Sequence, residues 1–208
     1  MSAERVASLF TRSDGAFRFA RWGRPLAPVV FGTDDASLGI LKDAIRVTAS
    51  LADLALVDTD PELGANFLFF FCSDWGELRE VPNLDRLLPD FEALLDRLGQ
   101  AGANQYRSFA FEPEGAIRLC TVLLRMDAEL SAVPAETLAQ LQVAQSLLFW
   151  SDTAFRTESP LAQVEGGTIV APGIAALIRA AYDPVLPAAS TEPAHAHRLA
   201  ARAGLLLG

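Results

Sequence analysis

Residues 65–72 read ANFLFFFC, and no other run limits the fold as strongly. The run is continuously apolar, rich in β-favouring side chains and bounded by turn signals, so it reads as a buried strand. The flanking segments are of the kinds that would cover it. Upstream, RPLAPVVFG (24–32) reads as a strand entered through proline, and Asp34 or Asp35 stands where a helix cap belongs. Ile40, Ala44, Val47, Leu51 and Leu54 then repeat at helical spacing. Downstream, Leu84, Leu87, Leu88, Phe91, Leu94, Leu95 and Leu98 form an amphipathic stripe that Pro89 kinks or starts late, with Gly99 and Gly102 as stop signals.

NQYRSFAF and AIRLCTVLLRM flank the turn EPEG and read as a hairpin. Helical segments follow: one opened by Pro134 and running to about 150, one opened by Pro172, and one capped by Ser190 or Thr191. Residues 151–171 read mostly as loop, with a turn at Gly166-Gly167. The order predicts one α+β domain: a mixed sheet of four main strands near 25–32, 65–72, 105–112 and 116–126. Residues 1–20 read as an N-terminal extension and 185–208 as a C-terminal helical segment. Helices 36–56 and 135–150 should share one face of the sheet. The expected core includes Val30, Ile45, Leu68, Phe70, Leu119, Val122, Leu141, Leu148 and Tyr182.

Charge narrows the partners. With 17 Lys and Arg against 26 Asp and Glu, the net charge of −9 disfavours nucleic-acid backbones and anionic membranes. Lys42 is the only lysine. No run approaches the length of a membrane span, and the N-terminus lacks the apolar core of a signal peptide. A cytoplasmic location is expected as the chain is written, or export if a signal peptide once preceded it. Cys72 and Cys120 read as buried free thiols, with a disulfide open to them only if their strands are neighbours. His195 and His197, two apart on a helix, face different ways and cannot grip one metal, and they read as an exposed pair. Phosphate-binding glycine loops, nucleophile elbows and H-E-x-x-H are all missing, so no cofactor is expected.

The segment LAQLQVAQSLLFWSD (138–152) poses the one chemical question. At about 100° per residue, Gln145 and Gln142 fall inside the apolar arc of Leu138, Leu141, Leu148 and Phe149. A buried amide without partners costs on the order of 1–3 kcal/mol. Each glutamine therefore has partners or lines a wet cleft. Gln145, deepest in the arc, is expected to be buried and bonded to the loop 151–160 or to water. Gln142 is the better candidate for touching a ligand.

The runs AIRLCTVLLRM, ETLAQLQVAQSLLFWSD, APGIAALIRAAYDPVL and STEPAHAHRLAA, with GANFLFFF, resemble the bacterial family known as domain of unknown function 2927. That family looks related to the zincin metallopeptidases, and the resemblance covers about residues 20–202. It implies a zincin-like fold in which Leu141 stands at the first histidine of the metal motif, Gln142 at the glutamate and Gln145 at the second histidine. Leucine has no donor atom, and a neutral amide is a poor zinc ligand and no base at neutral pH. The resemblance thus implies a degenerate, metal-free site with Gln142, Gln145 and Asp152 along its cleft. It also implies that the strand QYRSFAF is an antiparallel edge that accepts an extended peptide or protein partner. The alternatives are a hydrolase using Asp152 and Glu158 as an acid pair, and a purely structural subunit.

Overall fold

A computed structural model describes residues 1–207. Helix α1 (Ala3–Phe10) is followed by strands β1 (Phe19–Ala20) and β2 (Pro28–Phe31), helix α2 (Asp35–Leu51) and strand β3 (Phe67–Cys72). A 3-10 segment (Trp75–Glu80), α3 (Leu84–Leu87) and α4 (Phe91–Gln100) lead to the hairpin of β4 (Gln105–Phe111) and β5 (Ile117–Arg125). The chain closes with α5 (Ala128–Ser131), α6 (Ala135–Ala144), β6 (Leu161–Val164), β7 (Gly167–Val170), α7 (Pro172–Ala181), β8 (Ala189–Ser190) and α8 (His195–Leu205).

The main sheet has the order β2-β3-β5-β4, with β2, β3 and β5 parallel and β4 antiparallel at one edge. The apolar run behaves as its composition requires. Phe67 and Phe69 turn to one face, Leu68, Phe70 and Cys72 to the other, and all five are buried. One face is covered by Trp75, Leu78, Leu84, Leu88, Phe91, Leu94, Leu95 and Leu98, from the 3-10 segment through α4. The other is covered by α2 and α6, with α1, α7 and α8 in the same cluster. The result is a three-layer α+β fold. No helix among the described residues is long and apolar enough to cross a membrane.

Several sequence expectations need correction. Residues 1–20 are not an extension: Val6, Leu9, Phe10, Phe17 and Phe19 lie in the main core. The span 151–171 holds the β6–β7 hairpin, whose turn is Glu165-Gly166 rather than Gly166-Gly167, since Gly167 already pairs with Val164. Helix α8 starts at His195 without a side-chain cap, and Ser190 Oγ instead accepts the N–H of Glu192. His195 is fully buried and packs on the Phe19 ring at 4.6 Å, while His197 is exposed. Val30 and Tyr182 pack against the core but stay partly exposed, and Leu141, expected in the core, is only half-buried.

The two cysteines are free and buried. Their strands are neighbours, yet Cys120 pairs in register with Phe67 and Cys72 with Arg125. Five residues separate them along the sheet, about 16 Å at strand rise, and they face opposite layers. No disulfide spans that gap.

Helix α6 stops at Ala144, about two turns short of expectation, because tertiary donors claim its end. The Trp150 indole N–H donates to Ala144 O at 3.1 Å, Trp22 Nε1 to Ser146 O at 2.9 Å, and the Tyr182 hydroxyl to Leu147 O at 2.6 Å. Beyond them, Phe149 N–H donates to Ala20 O and Ser151 N–H to Leu9 O. The carbonyls a longer helix would have used internally are thereby satisfied from outside.

Candidate functional site

The early end of α6 changes what each glutamine does. Gln142 remains helical and is 1% exposed. Its Oε1 accepts from Arg107 Nη2 at 2.6 Å, and its Nε2 donates to Gln105 Oε1 at 2.9 Å. Gln145 is the C-terminal cap residue, is only half-buried, and makes no side-chain hydrogen bond among the described residues. The expectation for the pair is thus reversed: Gln142 is the buried, bonded amide, and Gln145 faces open space.

That space is a cleft of about 360 Å³ between β4 and the segment 145–155. Gln105, Arg107 and Phe109 line it from the sheet, Gln145 and Asp152 from the far wall, and Arg12 from the N-terminal segment. Phe149, Trp150 and Phe155 supply aromatic walls. Of the residues singled out in the sequence, Gln145 and Asp152 meet here. Gln142 stands behind Arg107 and borders a second, larger cavity of about 600 Å³, near the N-terminus of α2, lined by Leu41, Phe71, Met126 and Leu138.

Arg107 is not legible as a site residue in the sequence; it reads as one polar position in an alternating strand. Its Nε donates to Ser146 Oγ at 2.9 Å, and Ser146 Oγ in turn donates to Gln142 O at 2.7 Å. Burial pulls the guanidinium below its ordinary pKa. It nevertheless stays charged at neutral pH, and no carboxylate pairs with it among the described residues. The Arg12 guanidinium lies 5.0 Å over the Phe149 ring and 3.9 Å from Asp152. Asp152 accepts from Ser13 N at 3.0 Å and Ser13 Oγ at 2.5 Å, and the Ser13 hydroxyl and N–H hold its carboxyl down at about 2. Glu158 is bonded to Arg5 instead, so no shared hydrogen bond makes Asp152 and Glu158 an acid pair.

Two backbone features belong to this cleft. Phe155 has φ +63°, a left-handed conformation unusual for a bulky residue, and its ring meets Trp150 edge-on at 5.0 Å. Among the described residues β4 pairs only with β5, so its other edge has no strand partner there. Arg125 N–H donates to Asn104 O. By the two-residue repeat of an antiparallel ladder, Tyr106 and Ser108 then direct their main-chain groups to β5, while Gln105, Arg107 and Phe109 direct theirs outward.

A zinc ion does not fit where the resemblance would put it. Leu141 has no donor, and Gln142 has both amide ends engaged, one of them by a cation that would repel the metal. No group of three or more His, Cys, Asp or Glu converges anywhere among the described residues. The chain matches no family model, no curated protein and no solved structure.

Proposed function

We propose that this chain is a non-catalytic, zincin-like domain that binds an extended peptide or a peptide segment of a protein partner along β4. The observation that carries the reading is the unpaired edge of β4 beside an open, aromatic-walled cleft. An edge strand offers main-chain donors and acceptors at every second residue, and an adjoining pocket reads the side chains. The antiparallel edge next to α6 is the arrangement the zincin resemblance implies, and the amides at Gln142 and Gln145 replace groups that would do chemistry. The Asp152–Glu158 hydrolase gains no support, because each acid is held by its own basic or hydroxyl partner.

The test is selection from a random library of twelve-residue peptides against the purified protein. Enriched peptides are expected to bind in extended form. N-methylation of alternate peptide residues should abolish binding in one frame and spare it in the other. Failure to enrich any peptide on folded protein would overturn the reading, as would binding indifferent to N-methylation in both frames.

A further inference from the structure

If β4 receives an extended peptide, as proposed above, Arg107 indicates the chemistry of that peptide. A guanidinium presents two forks of N–H groups, and the protein itself fills one: Nε on Ser146 and Nη2 on Gln142. Both partners are neutral, and both are fixed, Gln142 by Gln105 and Ser146 by the Gln142 carbonyl. The second fork, Nη1 with the remaining N–H of Nη2, has no partner among the described residues and belongs to a side chain lining the cleft. An unfilled end-on fork matches the two oxygens of a carboxylate.

Composition makes the unpaired fork more telling. The chain has 26 acidic residues for 17 basic ones, and Arg24 alone engages Asp60, Glu62 and Glu112. A partly buried arginine left without any of them keeps its charge uncompensated, a cost that natural sites accept for recognition. The only acid on the cleft among the described residues, Asp152, is already tied to Ser13 and sits beside Arg12. Arg12 lies over the Phe149 face but is paired with Asp152 at 3.9 Å, so these two add no net charge and Arg107 is left as the unpaired cation of the cleft among the described residues.

We infer that the cleft is a carboxylate-recognition site, in which Arg107 takes one carboxylate of the bound peptide in bidentate fashion. The carboxylate belongs either to an Asp or Glu side chain or to the peptide's C-terminus.

Peptides from the selection above are resynthesised with each Asp and Glu changed to Asn or Gln, and separately with an amidated C-terminus. One of these changes is expected to weaken binding at least about thirtyfold, and which one identifies the source. Arg107→Gln should bind the acidic and neutral peptides equally, and Arg107→Lys should keep part of the discrimination. A fork that acts independently of the peptide backbone is read in the wild-type protein. The Arg107 Nε–H resonance should shift on titration with benzoate and not with benzamide. If peptides bind and no carboxylate change matters, the carboxylate site is wrong while the β4 reading stands. If no peptide is selected yet benzoate shifts Arg107, the edge reading fails and the anion site survives. A resonance indifferent to benzoate, with binding indifferent to charge, overturns the inference.

Discussion

Removing the amide of Gln142 strands two partners at once, Arg107 Nη2 and Gln105 Oε1. Gln142→Leu should therefore cost about 1–3 kcal/mol in urea melts, while Gln145→Leu should stay within about 0.5 kcal/mol of wild type, having no partner to strand. Equal losses would contradict this division of labour. The sequence shows that both amides lie on the apolar side of the helix; it does not show which is satisfied. That depends on Arg107, 35 residues earlier, and on where α6 ends, which the indoles of Trp22 and Trp150 decide. Arg107 is illegible for the same reason: an arginine on a strand announces neither its burial nor the missing acid. His195 carries a second residue-scale prediction. Both ring nitrogens are buried without partners among the described residues. Burial first, and then Arg198, lower its pKa from the ordinary 6.5. The folded protein thus resists a proton that the unfolded chain accepts, so the stability due to the neutral ring is full above about 6.5 and declines as pH falls from there. His195→Phe should melt at or above the wild-type temperature at pH 7.5 and lose less between pH 7.5 and 5.5. A steeper loss in the variant would refute it.

The elements were more legible than the site. ANFLFFFC, the Pro-Glu-Gly hairpin, the Asp34 cap and the proline starts at 134 and 172 are local signals, and each appears where local chemistry puts it. The β6–β7 hairpin, the short pairing of β1 with β8 and the packing of α1 into the core depend on distant partners and left little local trace. Two elements also meet through close approach at Gly32, which ends β2 at φ +77°; a Cβ there would lie 2.0 Å from Phe71 O. Gly32→Ala should cost more than about 1 kcal/mol in denaturant, since both strain and overlap oppose it. The loop before β3 is fastened by Asp60, which is 3% exposed. Burial opposes its charge, but the N–H groups of Leu63 and Glu62, Arg24 and Asn66 outweigh burial and bring the carboxyl to about 2. Its contribution is complete above the ordinary 3.8 and is lost as pH falls through about 2. Asp60→Asn should be less stable than wild type at pH 7, with the gap closing towards pH 2; a constant gap would contradict the linkage.

At the scale of the whole molecule, layers of helices protect both faces of the sheet, and among its edges β4 is the one that borders the aromatic-walled cleft. The inward charge of Arg107 stands behind that edge in a chain whose net charge is −9. Acidic ligands must therefore approach against the overall field and be held by local contacts, so raised salt should screen the repulsion more than the buried contact. The account depends most on β4 being the strand that receives the ligand. Amide hydrogen exchange, resolved by residue, tests this directly with a selected peptide bound and absent. Bound peptide should slow exchange at the outward N–H groups of Gln105, Arg107 and Phe109, with Tyr106 and Ser108, already bonded to β5, changed far less. Protection confined to the α2–α6 cavity, or to no part of β4, would contradict the account.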